Sequence, residues 1–211
     1  MPFQPFHTLT SRIVPLRIDH IDTDRIIPAR FLTSVESSGY EKFLFHDWRF
    51  HPDGSPNASF ILNQPKGQGK ILLAGRNFGC GSSREHAAWA LFQYGFRVVI
   101  SSGFADIFRT NALNIGLLPI EVEDQELDSL FETAASAPQI QWTVDLLAQM
   151  LIPEKSDALV NSQMAMPMEI RFDINAFRKR CLLDGIDLID YLVLLKPEIE
   201  QFEHKLATWE E

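Results

Sequence analysis

The middle of the chain alternates between apolar runs typical of strands and apolar positions at helical spacing. Strands are predicted at residues 70–74, 97–101 and 117–122, and helices at residues 82–94 and 104–111. Strands that alternate with helices over short connections pair in parallel through right-handed crossovers. The pattern therefore predicts an α/β fold with a parallel β-α-β core.

The pattern on either side of this core is less regular. A short strand is predicted at residues 13–18, where Pro15 favours an edge or bulge position because proline donates no ladder hydrogen bond. Residues 31–65 are rich in aromatic and turn residues and are predicted to form a long loop with short helices. Beyond the core, a helix is predicted at 124–135, one or two strands at 141–152, a loop at 153–167, a strand at 168–172, and helices at 173–185, 187–195 and 197–208. We therefore expect a domain over residues 1–172 and a helical C-terminal extension over residues 173–211. The amphipathic helices of this extension could be a docking surface or could pack over the core, and we favour packing.

Composition narrows the classes of function. The 211 residues include 19 Lys and Arg against 28 Asp and Glu, a net charge of −9. This acidic balance argues against nucleic-acid binding, which needs clustered cations to neutralise phosphates. No uncharged run approaches the roughly 20 residues of a membrane helix, and the N-terminus lacks the pattern of a secretory leader, so we expect a cytoplasmic protein. The two cysteines, Cys80 and Cys181, are too few for a zinc or iron–sulfur site within this chain, and we assign it no metal ligands.

Candidate chemistry is concentrated in the segment from Gly79 to His86, where a predicted strand passes into a predicted helix. Such a junction offers unpaired backbone N–H groups and the positive end of the helix dipole to a carboxylate or phosphate, and Gly79 and Gly81 would let a ligand approach closely. Ser82 and Glu85 also fit a capping box, so one interpretation is that Ser82 only caps the helix. Against it, two hydroxyls, a guanidinium, a carboxylate and an imidazole occupy five consecutive positions.

Most known loop motifs do not fit this segment. A phosphate-binding loop would need a glycine where Cys80 stands and a lysine where Gly81 stands. A dinucleotide-binding fingerprint would need a glycine in place of Arg84. A cysteine hydrolase built on Cys80 is an alternative, but the histidine well downstream, His204, lies in the tail. We therefore interpret Cys80 as a packed side chain.

The residues at 78–87, Phe-Gly-Cys-Gly-Ser-Ser-Arg-Glu-His-Ala, strongly resemble the signature of the swivelling domain of the aconitase superfamily. Segments at residues 22–28, 45–49, 104–119 and 172–185 resemble one family within it, the small subunits of 3-isopropylmalate dehydratases. The resemblance covers about residues 5–205. It implies a swivelling β/β/α domain with a helical C-terminal extension. It also implies a hydro-lyase that interconverts 2-isopropylmalate and 3-isopropylmalate through isopropylmaleate in leucine biosynthesis.

The resemblance implies roles for residues of this loop. Ser82 is expected to be the base, acting as an alkoxide that Arg84 and helix N-terminal amides stabilise. Arg84 is also expected to bind a substrate carboxylate through its fork, and Ser83 to hydrogen-bond the same group. Gly81 is expected to line the substrate site, and Asp24 to orient Arg84 or the base. The structural alternatives are a surface cation for Arg84 and a turn former for Asp24.

The resemblance also implies a cofactor and a partner. In this superfamily three cysteines hold a [4Fe-4S] cluster, which Cys80 and Cys181 cannot provide. The chain is therefore expected to be inactive alone and to form a heterodimer with a large subunit that carries the cluster. The small dicarboxylate substrate would bind between the two subunits.

The loop after residue 28 bears on which substrate is preferred. Arg30 is the nearest candidate for the arginine with which aconitases bind the extra carboxylate of citrate, but Phe31, Leu32 and Val35 surround it. An apolar loop suits an isopropyl group better than a buried carboxylate. The alternatives are the small subunit of a related hydro-lyase acting on homoaconitate, citraconate or another alkylmalate, or a non-catalytic module that binds dicarboxylates.

Overall fold

The computed structural model describes residues 3–32, 38–154 and 169–207. Across these residues the chain forms a mixed seven-stranded sheet in the order β4-β3-β2-β1-β5-β6-β7. The strands are β1 (Thr8–Leu16), β2 (Ile71–Ala74), β3 (Val98–Ser101), β4 (Leu118–Glu121), β5 (Gln141–Asp145), β6 (Met150–Pro153) and β7 (Ile170–Arg171). Strands β1 to β4 pair in parallel, and β1, β5, β6 and β7 pair antiparallel. The α/β prediction is confirmed.

Helices cover both faces of this sheet. They are α1 (Thr23–Ile26), α2 (His46–Arg49), α3 (His86–Tyr94), α4 (Asp106–Asn114), α5 (Asp124–Ser136), α6 (Ala176–Asp184), α7 (Leu188–Leu194) and α8 (Lys196–Ala207). Short 3₁₀ segments occupy much of the long connection between β1 and β2. None of the helices in the described ranges is long and apolar enough to span a membrane.

Side chains of the parallel strands β1, β2 and β3 enter two different apolar cores. In β2, Leu72 and Ala74 join a first core and Ile71 and Leu73 join a second, so the whole strand is buried. The first core contains buried side chains of the helices that follow β2 and β3: Ala87, Ala88, Ala90 and Leu91 of α3, and Phe108 and Ala112 of α4. The second contains side chains of α5, the antiparallel strands and α6: Leu127, Leu130, Phe131, Trp142, Val144, Leu151 and Leu182. Because α3 and α4 lie on the same face, the loops that precede them emerge together at the carboxyl edge of the parallel strands.

The edge position predicted for the first strand is wrong, since β1 lies in the interior of the sheet. The two neighbours of β1 use different parts of it. Strand β5 pairs with β1 only as far as Arg12, and β2 pairs with it from Ile13 onward. Among the described strands, Pro15 therefore has a partner on one side only, which satisfies the physical requirement of proline without an edge strand.

The C-terminal helices divide into a packed part and an exposed part. Cys181 and Leu182 of α6 are buried, and the backbone N–H of Phe6 donates to the carbonyl of Leu182 (2.8 Å). The prediction that the later helices pack over the core is wrong for α7 and for the described side chains of α8. Several of their large apolar side chains are exposed: Ile189, Leu192, Val193, Leu194, Ile199 and Phe202. Most of the loop predicted at 153–167 lies outside the described residues.

Candidate active site

Two loops run side by side at the carboxyl edge of the parallel strands. One follows β1 over residues 17–22, and the other follows β2 over residues 75–85. Backbone hydrogen bonds of 2.7–3.1 Å join them, from Gly75 N to Ile18 O, His20 N to Arg76 O, Gly79 N to Ile21 O, and Thr23 N to Cys80 O. These bonds extend the parallel pairing of β1 and β2 beyond the strands. They place α1 directly beside residues 81–84.

The loop after β2 is also fixed on its other side by the loop after β3. Phe78 N donates to Gly103 O (2.9 Å), and Ala105 N donates to Phe78 O (3.1 Å). The expectation that Gly79 makes room for a ligand is wrong. Gly79 has φ +77°, and a Cβ there would lie 2.2 Å from the ring of Phe108. The glycine therefore allows the loop to pack closely against α4.

The helix that follows this loop begins later than predicted. Its first residue is His86, and its N-cap is Glu85, which makes no capping hydrogen bond through its side chain. The capping box predicted for Ser82 and Glu85 is therefore wrong. The backbone N–H of Ser82 donates instead to Thr23 Oγ1 (3.2 Å), which holds Ser82 in the loop. The hydroxyl of Ser82 is thus available for another purpose, and the residue is exposed.

The Ser82 hydroxyl has two polar neighbours. Arg84 Nε donates a hydrogen bond to Ser82 Oγ (2.7 Å), and Thr23 Oγ1 lies 3.3 Å from the same atom. A guanidinium bond to oxygen stabilises an anionic oxygen more than a neutral one. Arg84 is therefore in direct contact with the oxygen whose ionisation it would favour. The effect predicted for helix N-terminal amides stays a prediction.

Arg84 binds Asp24 with the other end of its guanidinium. Its Nη1 and Nη2 atoms lie 2.5 Å and 2.9 Å from the two carboxylate oxygens of Asp24. The side chain of Arg84 is only 15% exposed, whereas that of Asp24 is 59% exposed. The hydrogen bond from Arg84 lowers the pKa of Asp24, with a smaller contribution from the backbone N–H of Ala29. Asp24 is therefore ionised at neutral pH, and its bonds to both Nη atoms fix the direction of Arg84 Nε.

This pairing limits how Arg84 can reach a substrate. Its Nη1 also donates to Ile27 O (3.4 Å), so Nη2 keeps one hydrogen beyond those directed at Asp24. The substrate-carboxylate role of Arg84 stays a prediction, and it requires that hydrogen or displacement of Asp24.

Ser83 and Gly81 are exposed beside Arg84, and Ser83 O accepts a hydrogen bond from Asn111 Nδ2 (3.4 Å). Their predicted contacts with substrate are likewise not tested.

Arg30 is directed at a carboxylate of this chain. Its guanidinium binds Asp47 through both Nη atoms, with a second contact to His46 Nδ1 (3.5 Å), and it lies 4.5 Å from the ring centroid of Phe31. This pairing depends on residues 17 positions apart and was not visible in the sequence. The substrate-binding role predicted for Arg30 stays a prediction. Val35 lies outside the described residues.

Two other titratable groups of the signature, Cys80 and His86, are partly buried. Burial raises the pKa of the Cys80 thiol, which makes a thiolate nucleophile less accessible and weakens the cysteine hydrolase alternative. Burial also lowers the pKa of His86, whose ring lies 5.0 Å and 4.7 Å from the ring centroids of Tyr40 and Trp89. His86 is thus a packing residue, and it is neutral at physiological pH.

Sequence reasoning missed Thr23. It stands in the Asp-Thr-Asp run at residues 22–24, from which only Asp24 was selected. Its side chain is buried in a site whose neighbours, Ser82 and Ser83, are exposed. The sequence feature that could have indicated a role for Thr23 is its hydroxyl between two acidic residues at the end of a loop. Such a pattern is also common in ordinary turns.

The fold and this loop define a domain of the aconitase type. The family described as aconitase C-terminal domain matches residues 3–125 of this chain. The 3-isopropylmalate dehydratase small subunit of Cytophaga hutchinsonii is 48% identical, over 95% of this chain and 94% of that protein. The one from Christiangramia forsetii is 46% identical, over 96% and 94%. The crystal structure of 3-isopropylmalate dehydratase from Methanocaldococcus jannaschii superposes with a TM-score of 0.59 at 26% identity, covering 93% of this chain and 99% of that one. The chain belongs to the family of 3-isopropylmalate dehydratase small subunits.

Proposed function

We propose that this chain is the small subunit of an enzyme that interconverts 2-isopropylmalate and 3-isopropylmalate through isopropylmaleate, a step of leucine biosynthesis. Membership of the small-subunit family supports the reaction class. The observation that carries the proposal at the level of chemistry is the exposed Ser82 hydroxyl with Arg84 Nε 2.7 Å away. Removal of a proton next to a carboxylate needs such a base.

A serine hydroxyl is a weak acid, so its use as a base depends on its surroundings. Arg84 favours the alkoxide of Ser82 by charge and by a direct hydrogen bond. Asp24 prevents Arg84 from turning away, because both Nη atoms are bound to its carboxylate. Arg84 is also mostly buried, so its attraction for an anion is screened less than that of an exposed arginine.

In the forward reaction Ser82 Oγ takes the proton from the carbon that carries the departing hydrogen. The electron pair of the broken C–H bond forms the C=C bond of isopropylmaleate, as the C–O bond to the leaving hydroxide breaks. In the second half of the reaction isopropylmaleate is hydrated in the opposite orientation. The serine hydroxyl gives its proton to the carbon that lost hydroxide, and hydroxide adds to the carbon that lost the proton, which forms the other isomer. The Ser82 oxygen therefore acts as a base while it is an alkoxide and as an acid once it is a hydroxyl. The alkoxide is restored at the end of one isomerisation.

The residues of this chain do not fit the iron–sulfur cluster of the superfamily. The described residues hold no group of three or more His, Cys, Asp or Glu side chains arranged to bind a metal ion. Cys181 is buried in α6 and Cys80 lies in the loop, both as free thiols. We therefore propose that a larger subunit brings a [4Fe-4S] cluster, which would supply the Lewis acid that helps hydroxide leave, and that this subunit completes the site over the exposed loop of Ser82. We also propose a cytoplasmic location, where free thiols remain reduced.

The pairing of Arg30 supports an alkylmalate over a tricarboxylate. A third substrate carboxylate would need a free cation in the substrate loop. The positive charge of Arg30 is already balanced by the carboxylate of Asp47, and the guanidinium stacks on the ring of Phe31. We propose on this basis that the loop favours the isopropyl group.

The proposal is tested by reconstitution with an iron–sulfur-bearing large subunit and by assay on 3-isopropylmalate, citraconate and homoaconitate. We expect turnover of 3-isopropylmalate by the complex and none by the isolated chain. Ser82→Ala should abolish it, with a loss of about 10⁴-fold or more in kcat. Ser136→Ala, in which an exposed helix serine loses its hydroxyl, should retain full activity.

Four results would contradict the proposal. Turnover by the isolated chain without iron would contradict the need for a partner. Full activity of the Ser82→Ala complex would contradict the role of the base. Preference for homoaconitate would contradict the substrate, and binding of a dicarboxylate by a chain that forms no complex would favour the non-catalytic alternative.

A further inference from the structure

The hydroxyl of Thr23 is buried against the loop that carries Ser82. Thr23 is only 2% exposed and is the first residue of α1. Its position is fixed from two directions. Its backbone N–H donates to Cys80 O (2.9 Å), and the N-cap Asp22 accepts a hydrogen bond from Arg25 N (2.7 Å), which closes the turn. The side chain therefore has little freedom to leave its place beside Ser82.

Three atoms of Ser82 lie within hydrogen-bond distance of this one hydroxyl. The backbone N–H of Ser82 donates to Thr23 Oγ1 (3.2 Å). Thr23 Oγ1 in turn lies 3.4 Å from Ser82 O and 3.3 Å from Ser82 Oγ. A short helix 59 positions away in the chain thus holds both the backbone and the side chain of this residue.

A threonine hydroxyl has one hydrogen, which can point to only one acceptor at a time. While Ser82 is neutral, that hydrogen has two comparable acceptors, Ser82 O and Ser82 Oγ. Once Ser82 has lost its proton, Oγ carries a full charge and becomes the much stronger acceptor. Rotation of the hydroxyl then gives the alkoxide a second donor in addition to Arg84 Nε, without movement of the backbone.

We propose that Thr23 is a positioning residue for the base Ser82: it holds the backbone of Ser82 in the loop and donates its hydroxyl hydrogen to Ser82 Oγ whenever that oxygen is ionised. This inference rests on the proposed function, because it takes Ser82 as the base. It assigns the first turn of α1 a direct part in the ionisation of a side chain that lies on another loop. Thr23 itself carries no charge.

The charged and titratable groups around this pair lie on both loops. Arg84 contacts Ser82 Oγ directly, and Asp24 acts on it through Arg84. Asp22 precedes Thr23, and the thiol of Cys80 and the carboxylate of Glu85 belong to the loop of Ser82. Beyond them His86 begins α3 and is neutral near pH 7, because burial lowers its pKa. Substitution of Thr23 changes no charge among these groups, so any change in pH dependence reports the lost hydroxyl.

The test uses Thr23→Val and Thr23→Ser in the complex reconstituted with the large subunit, with 3-isopropylmalate as substrate. Valine keeps the shape and removes the hydroxyl, and serine keeps the hydroxyl. For Thr23→Val we expect kcat to fall about 10- to 100-fold, as for loss of a hydrogen bond to a charged group, with KM within about threefold. The limb of kcat that rises with pH should move to higher pH by about one unit, because loss of a donor disfavours the alkoxide. Thr23→Ser should restore kcat to within about threefold of the parent.

Thr133→Val is the matched control, because Thr133 is a buried threonine of α5 whose hydroxyl bonds Ser129 O (2.8 Å). It should change stability and leave kcat and its pH profile unaltered. The inference is overturned if Thr23→Val keeps the parent kcat and pH limb, or if Thr23→Ser is as inactive as Thr23→Val. Those results leave the proposed function intact as long as Ser82→Ala abolishes turnover. If Ser82→Ala remains active, the proposed function itself fails.

Discussion

At the scale of single residues, the candidate site depends on how one guanidinium is divided between two partners. Arg84 donates a hydrogen bond from Nε to Ser82 Oγ and from its two Nη atoms to the carboxylate of Asp24. An arginine can do this because its planar fork presents donors in several fixed directions. A lysine would offer a single mobile charge to either partner. The geometry therefore requires arginine at this position for more than its charge.

We predict that Arg84→Lys lowers kcat of the reconstituted complex by about 10²- to 10³-fold, as for loss of one donor to a developing anion. The physical reason is that a lysine bound to Asp24 no longer reaches Ser82 Oγ with fixed geometry. Steady-state assays on 3-isopropylmalate give the effect. Arg17→Lys, at an exposed arginine paired with Asp128, serves as the control and should retain activity. An Arg84→Lys complex with the parent kcat would contradict this account of the site.

The pair of Asp24 and Arg84 also gives a prediction for stability against pH. Because Arg84 lowers the pKa of Asp24, the pair stabilises the fold above the unfolded pKa, and this contribution disappears as pH falls through the lower folded value. The difference in stability between the parent and Asp24→Asn should therefore be constant above about pH 5 and shrink below about pH 4. It should not exceed about 1 kcal/mol, because the carboxylate is more than half exposed and is screened by solvent. Urea denaturation of both proteins between pH 3 and pH 7 checks this. A difference that grows toward low pH would contradict it.

At the scale of elements, the loop after β2 is shaped by its neighbours on both sides. It is bonded to the loop after β1 through Gly79 N and to the loop after β3 through Phe78 N. The ring of Phe108 on α4 leaves no room for a side chain at Gly79. The loop therefore reaches Ser82 in one conformation, which a base held within hydrogen-bond distance requires.

We predict that Gly79→Ala destabilises the protein by about 2–4 kcal/mol, because strain at positive φ adds to overlap with Phe108. Gly95→Ala is the matched control. Gly95 also has positive φ, +117°, but a Cβ there meets no atom within 4 Å. It should cost only about 1–2 kcal/mol of backbone strain. Urea denaturation measures both, and equal costs at the two glycines would contradict the close packing of Phe108.

At the scale of the whole molecule, the C-terminal helices differ in how far they pack against the core. Helix α6 belongs to the second core through Leu182. Helices α7 and α8 follow it, and several of their large apolar side chains are exposed. Nothing in the sequence alone separates these helices, since all three carry apolar residues. The boundary predicted at residue 172 places α6 with the extension, and it is open to a direct test.

We predict that a chain ending at Ile186 folds with a Tm within about 4 °C of the parent, equivalent to about 1–2 kcal/mol for a protein of this size. A chain ending at Phe172 also loses Leu182 and should be destabilised by about 3–5 kcal/mol or more, which lowers Tm by about 10 °C or more. Thermal unfolding followed by circular dichroism compares the two. Equal Tm values for both chains would support a domain boundary at residue 172 and contradict the structural part assigned to α6.

The sequence by itself determined the parallel core and the position of the chemistry. Continuous apolar strands between helices of apolar spacing are legible because each element is set by nearby residues. The polar residues from Ser82 to His86 stood out for the same reason. The count of two cysteines limited what metal chemistry this chain can hold. All of these properties are local or compositional.

Only the tertiary structure decided which of these residues work together. The contacts of Ser82 with Thr23 and of Arg84 with Asp24 join positions 59 and 60 residues apart, and they exist because β1 and β2 pair in parallel. That pairing is what moved the start of α3 from Ser82 to His86, since the bond from Ser82 N to Thr23 holds the loop open. A local pattern favoured a capping box, but the pairing of β1 with β2 places the Thr23 hydroxyl where it accepts a hydrogen bond from Ser82 N (3.2 Å), and this long-range bond forms instead.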